Sequence, residues 1–516
     1  MRTRAEQWKR KGRMISALLA AALSLNGSCD SRFEGNKPLE TAGQALSGTY
    51  LPDEGDVAVS VYQTTGRRGF REIFTTPFTP HLYTNRAPID VDAAEVRGTY
   101  RWLGVSMTDA SCWILSRLAP EKRQALLEAV FSPTKGAGLG AVRLNVGSSD
   151  YATALYTYDD TPGDVEMRHF SVARDDHWVF PMVKAALAVN PAISLFAAAW
   201  SPPGWMKTTG SFVDGHFKDG MELALANYLT AYAKALRERG LSLDAVSINN
   251  ESGLSTRGTY PSCVFTPTQE AAVAKVLAKR LTEEGLSTRV WILDWNYHHA
   301  GKVAGELSDP DLLKIVGGVA WHSYGAAPDD AFYALKRKYP QVPFYHTEQG
   351  PARHDPSRNE QFWCERLRNA FENGCEGFTG WNLCLDEDGQ PLTGPHLCAG
   401  LVEVDLETGD FTPSAQYNLF RHVGPFVKPG AEVLRASGDR DGMSVLLFRN
   451  PDGEHVLVCA CAAGHGLEGR PGPDGHEPRP KLYVKFAGEN KHLPLPFDTW
   501  SVTTMVFGKK GERVRR

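Results

Sequence analysis

The sequence predicts an α/β protein: a closed barrel of eight βα units, the TIM barrel, with a smaller antiparallel β domain to which both chain ends contribute. Three observations carry this. From Trp102 onward, eight short apolar runs alternate with amphipathic stretches. Past Val427 the pattern changes to strands separated by Gly, Pro and Asp turns. Two glutamates, Glu251 and Glu348, follow apolar runs that read as buried strands, where a barrel of this kind carries its chemistry.

Taken in order, residues 1–29 have the three-part form of a secretory signal. Basic residues from Arg2 to Arg13 precede the apolar run Met14 to Leu25, and small residues follow before Cys29. That run is too short to span a bilayer. Leu25-Asn-Gly-Ser-Cys29 is a degenerate lipobox, so the chain is expected to be exported, with Cys29 either the site of a lipid anchor or a bystander of plain cleavage. Membrane association is expected only through such a lipid. Export permits disulfides, and the other eight cysteines fit no zinc spacing. Cys384 and Cys398 flank one loop and are candidates to pair, while Cys459 and Cys461 alternate on one strand face as packing residues.

The segment Asp56-Val-Ala-Val-Ser-Val-Tyr-Gln-Thr-Thr alternates with a period of two, and residues 46–80 are assigned to strands of the β domain. The catalytic barrel is assigned to 81–426. Its strands are Leu103 to Thr108, Ala141 to Val146, Ile193 to Ala198, Ala245 to Ile248, Val290 to Leu293, Ile315 to Trp321, Val342 to Tyr345 and Gly377 to Trp381. Stretches such as Met221 to Arg239 and Pro267 to Glu284 show the 3.6-residue apolar period of helices packed on a sheet. Residues 427–510 complete the β domain, with Gly464 to Lys481 as a Gly- and Pro-rich loop.

Composition excludes little but points one way. The chain is 42% apolar and 22% charged, with a net charge of −4, which gives no footprint for nucleic acid or an acidic polymer. A neutral sugar-like partner fits better. Retaining cleavage of a glycosidic bond needs one carboxylate to attack the anomeric carbon and one carboxylic acid to protonate the leaving oxygen, about 5–5.5 Å apart. Glu251 follows Asn249-Asn250, and an amide beside an acid/base can bond the sugar 2-hydroxyl; this assigns Glu251 as acid/base and Glu348 as nucleophile. Ionised Glu348 is expected to keep Glu251 protonated until the glycosyl ester forms.

The motifs Met107-Thr-Asp-Ala, Tyr156-Thr-Tyr-Asp-Asp-Thr-Pro, Trp200-Ser-Pro-Pro-Gly-Trp-Met-Lys-Thr, Asn250-Glu251, His322-Ser-Tyr, Thr347-Glu348, Gly380-Trp-Asn-Leu-Cys-Leu-Asp and Phe426-Val-Lys-Pro-Gly occur in one order. Together they resemble glycoside hydrolase family 30, and most its glucosylceramidase branch, over about Val57 to Phe507. The resemblance implies a (β/α)8 barrel fused to a β-sandwich built from both chain ends, and a retaining mechanism without metal or cofactor. It also implies that Asp109, Trp200, Asn250, Tyr324 and Trp381 line the glycone subsite. Arg143 is read as holding the nucleophile ionised or as a structural ion pair, and His322 as supporting the site.

The departures concern the rim. Before Thr-Asp-Ala the chain has Trp102-Leu-Gly-Val-Ser in place of a glycine-rich approach. Ser252 stands where the family usually has Pro, and His396 where an asparagine lines the entrance, both expected on the leaving-group side. The segment Gly350-Pro-Ala-Arg-His-Asp-Pro is shorter than in the animal enzymes. The leading expectation is an exported β-glycosidase acting on a β-D-glucosyl unit. An endo-β-1,6-glucanase or β-xylosidase of the same family stands as the alternative, and an inactive carbohydrate-binding scaffold as the alternative of another class.

Overall fold

The computed structural model describes residues 57–65, 68–80, 88–325, 327–350, 353, 355, 357–438, 443–461, 481–494 and 501–508. The signal and Cys29, nearly all of the Gly464–Lys481 loop and part of the segment after Gly350 lie outside the described residues.

Eight parallel strands close into a barrel in sequence order: β1 (Trp102–Ser106), β2 (Ala141–Val146), β3 (Ser194–Ala199), β4 (Leu243–Ser247), β5 (Arg289–Asn296), β6 (Val316–His322), β7 (Phe344–Glu348) and β8 (Cys375–Asn382). These are the eight runs expected from the sequence. Their apolar character on both faces follows from a parallel sheet wrapped by helices. β1, β2 and β7 are buried along their whole length.

The barrel floor is filled by a ring of side chains whose sizes alternate from strand to strand. Trp102, Phe196, Trp291 and Tyr345 come from β1, β3, β5 and β7, and Ala141, Ala245 and Ala320 from β2, β4 and β6. On β8 the corresponding wedge is empty at Gly377, where a Cβ would run into the Trp102 indole. Trp102 and Trp291 each stack on Tyr345, at centroid distances of 5.0 and 4.5 Å, and Phe196 meets Trp291 in a tilted contact at 5.0 Å. Large against small is how a barrel interior packs to native density. With the floor plugged, polar side chains are left to the strands' C-terminal ends.

The outer helices fall where the apolar period places them. One of them, Pro267–Glu283, starts with a capping box in which Thr266 and Gln269 satisfy each other's backbone N–H, with Pro at the first turn. Its first turn carries Glu270 toward the site.

The accessory sheet is antiparallel apart from one pair and takes strands from both chain ends. Its nine strands hydrogen-bond into a ring in the order Val57–Thr65, Arg68–Pro80, Glu489–Pro494, Lys481–Phe486, Ile89–Thr99, Glu432–Ser437, Met443–Arg449, His455–Cys461 and Ser501–Phe507, which returns to the first. Strand Ile89–Thr99 belongs to this ring, pairing with Glu432–Ser437, so the barrel begins at Trp102 and not at residue 81. A separate core of Val59, Val61, Leu457, Cys459, Met505 and others fills the ring. Cys459 and Cys461 pack there, as expected.

The seam between ring and barrel is marked by His422, on helix Ala415–Val423. Its Nε2 meets Thr64 Oγ1 at 2.8 Å and its Nδ1 meets Thr504 Oγ1 at 2.9 Å. One barrel helix thereby ties down strands from both ends of the chain.

All eight described cysteines are free thiols. The expected Cys384–Cys398 pair does not form: Cys384 is buried beside β8 with its Sγ toward the Ser111 carbonyl, whereas Cys398 borders a cavity.

Candidate active site

The catalytic candidates meet at the C-terminal mouth of the barrel, because several strands end in irregular backbone that turns side chains inward. Glu348 is the last residue of β7, beyond a register shift between His346 and Glu348. Glu251 lies four residues past β4 and has φ +49°, a left-handed conformation also taken by Leu293 (φ +71°) and Asp294 (φ +48°) on β5. Non-glycine residues hold such backbone only where the surroundings over-determine it. Here the two loops lock one another: Glu251 N–H donates to Asp294 O at 2.8 Å, Ser252 N–H to Leu293 O at 3.3 Å, and Asn250 N–H to Ala199 O of β3 at 2.6 Å.

A buried charge network supports the two glutamates. Arg143, the third residue of β2 and fully buried, donates to Glu348 Oε2, to Asp294 Oδ2 at 2.8 Å and to Asn250 Oδ1 at 2.7 Å. Its guanidinium lies 4.8 Å from the Trp200 ring centroid and 5.7 Å from that of Trp381. Tyr324 donates its hydroxyl proton to Glu348 Oε1 at 2.8 Å. Both Glu348 oxygens are therefore held in place by donors.

Behind Glu251 runs a second line. His322 Nε2 is 3.0 Å from Asp294 Oδ1, and its Nδ1 is 3.6 Å from Glu251 Oε1. Burial alone would push this imidazole down. Glu348, Asp294 and Glu251 outweigh burial and raise it to about 9. Asp294 responds the opposite way. Burial would push its carboxyl up, but Arg143, His322 and Thr347 hold it well below the usual carboxylate range. Asp294 and Thr347 are functional residues that the sequence reading missed.

The two glutamates border a cavity of about 620 Å³. Trp200, Asn250, Glu251, Tyr324, Glu348, Trp381 and His396 all line it. Asp109 does not. Its carboxylate accepts from Thr153 N and Oγ1 at 2.7 and 2.8 Å and from Trp178 Nε1 at 2.7 Å, so its acceptor sites serve the loop after β2. The carboxyl that does reach the cavity is Asp150, four residues past β2. It is pushed well above the usual range by burial, with Glu348 and Glu251 adding repulsion. Ser252 is also displaced from its expected place. It is fully buried beneath the cavity, donating to Glu270 Oε2 at 2.7 Å and facing Lys302 Nζ at 2.5 Å. Glu270 in turn accepts from Leu293 N–H at 2.7 Å, so this cluster braces the locked loops from below.

A sequence model described as the glycosyl hydrolase family 30 TIM-barrel domain matches residues 100–427. The chain belongs to glycosyl hydrolase family 30. It is therefore a glycosidase, with a glycan as substrate. Among family relatives, an endo-1,6-β-D-glucanase of Neurospora crassa is 27% identical over 395 residues, 73% of this chain and 81% of that protein. The lysosomal acid glucosylceramidase of Mus musculus is 28% identical over 386 residues, 69% and 73% respectively. Among solved structures, SrfJ from Salmonella typhimurium superposes with a TM-score of 0.78 at 22% identity, over 88% of this chain and 100% of that one. The last likeness concerns the fold alone.

Proposed function

We propose that the protein is a retaining β-glycosidase that hydrolyses a β-D-glucosidic bond by double displacement at Glu348. The observation that carries this is the convergence of Arg143 and Tyr324 on the two oxygens of Glu348, with Glu251 facing the same cavity. A carboxylate so held is a nucleophile fixed in position and aimed.

In the first step a Glu348 oxygen bonds to the anomeric carbon while the glycosidic C–O bond breaks, and Glu251 gives its proton to the departing oxygen. In the second, Glu251 takes a proton from water, the water oxygen bonds to the anomeric carbon, and the ester bond to Glu348 breaks. Asn250 spends its Oδ1 on Arg143, which turns its amide donor to the sugar 2-hydroxyl. Asp150, Trp200, Trp381 and Tyr324 supply hydrogen bonds and walls to the glycone, and His396 borders the entrance. His322, with its Nδ1 3.6 Å from Glu251 Oε1 and its Nε2 on Asp294, positions Glu251.

The test is release of nitrophenol from the aryl β-D-glucoside by the mature protein and its Glu348→Gln variant, at matched folding by circular dichroism. We expect release that falls at least ~10³-fold in the variant. Equal release by both proteins would remove Glu348 from the mechanism. A second reading, endo-cleavage of a β-1,6-glucan, is favoured by the Neurospora crassa relative, and an oligosaccharide ladder from such a glucan would select it.

A further inference from the structure

We propose that Trp295 is the platform for the second sugar ring, so that the site takes a gluco-oligosaccharide with a glucosyl leaving group in preference to an alkyl or lipid glucoside. This rests on the β-glucosidase reading above and deepens it.

Three indoles with different tasks border the catalytic cavity closely: Trp200, Trp295 and Trp381. Trp200 and Trp381 are 2% exposed, stack on each other at 5.2 Å, and both carry the Arg143 guanidinium. Their π faces are taken by the site itself. Trp295 is half-buried and carries no such load. One of its faces rests on the His299 imidazole, with ring centroids 3.6 Å apart and planes 15° from parallel. A ring backed on one side and bordering a cavity on the other is a platform for the C–H face of a pyranose.

Its position points to the leaving group. Trp295 directly follows Asp294, and its edge lies against Gly253, two residues after Glu251, where a Cβ would come within 2.6 Å of Trp295 Cζ3. The glycine of the acid/base loop leaves the room that the indole occupies. A ring on Trp295 thus lies beside the carboxyl that protonates the leaving oxygen. Next along β5, Asn296 accepts from Tyr324 N–H through Oδ1 at 2.9 Å and borders the cavity, as does Arg257. An indole followed directly by an amide that borders the same cavity suits a ring bearing hydroxyls; an aliphatic chain would leave the Asn296 amide N–H groups without partners.

Binding separates this role from any effect on acid catalysis. In a Glu348→Gln background, affinities for glucose and for the β-1,6-linked glucotriose are measured by calorimetry, with and without Trp295→Ala. The trisaccharide is expected to lose at least ~10-fold more affinity than glucose, and Trp295→Phe to restore part of the loss. Equal loss for both ligands would make Trp295 a merely structural residue and overturn the proposal. So would unchanged trisaccharide affinity. If the unmutated enzyme hydrolyses β-glucosides in a Glu348-dependent way while Trp295→Ala binds like its parent, the platform falls and the mechanism stands. If that hydrolysis is absent, the underlying reading falls with it.

Discussion

His322 and His422 are both fully buried, yet the barrel mouth raises one to about 9 and the seam lowers the other to about 3. Removal from water acts on both in the same direction, disfavouring the cation. The difference is company. His322 faces Asp294, Glu251 and Glu348, whereas His422 meets two threonine hydroxyls and lies near Arg421. The same residue type thus serves as a fixed charge in the site and as a neutral two-sided linker at the seam. Burial by itself says nothing of which.

The largest effect expected from breaking this contrast is at Asp294. Asp294→Ala leaves Arg143 and His322 buried with less counter-charge, and should cost ~3–5 kcal/mol of stability in urea melts, with kcat down by ~10²-fold or more. His422→Ala removes neutral hydrogen bonds and a ring contact with Phe70, and no charge. Its expected cost is ~1–3 kcal/mol, with kcat/KM of the folded enzyme near that of the parent. A matching loss of kcat in His422→Ala would erase the distinction between the two regions.

The pH windows are opposite in sign. His322 is raised above its unfolded value of about 6.5, so its stabilising charge is complete below that pH and is lost as pH climbs through about 9. His422 is depressed, so its contribution is complete above about 6.5 and is lost as pH falls toward 3. Urea midpoints taken across pH should therefore flatten on the alkaline arm in His322→Asn and on the acid arm in His422→Asn. The reverse assignment would show that neighbours have been misjudged. The smallest effect is expected at Ser252. Ser252→Ala deletes its hydroxyl contacts to Glu270 and Lys302 and should lower kcat only a few-fold, at ~1 kcal/mol in stability.

These regions also differ in how far the sequence disclosed them. Eight strands and both glutamates were legible because a parallel strand buried on both faces leaves a continuous apolar run, and a charged residue at its end stands out. Asp294 was not legible. The apolar run of its strand ends at Leu293, and nothing local announces that Leu293 and Asp294 adopt left-handed backbone. Asp109 and Asp150 each follow a barrel strand by a few residues, and only the packing of Thr153 and Trp178 decides that Asp109 serves a loop while Asp150 reaches the cavity. Strand Ile89–Thr99 went to the wrong domain for a related reason: its partner, Glu432–Ser437, lies at the far end of the chain. His422 carries no sequence signal, because its threonine partners come from strands at opposite ends of the chain.

The alternating floor of the barrel bears on how such a sequence can drift. Each aromatic on an odd strand occupies room that its even-numbered neighbours give up, so no position there varies alone. A methyl group added at Gly377 would have to be answered at Trp102, and a larger residue at Ala320 by a smaller one at Trp291 or Tyr345. Substitutions in this layer should therefore travel through a lineage as adjacent pairs. A floor with aromatics on the even strands would fill the same volume, but each single change toward it either opens a cavity or overfills the layer.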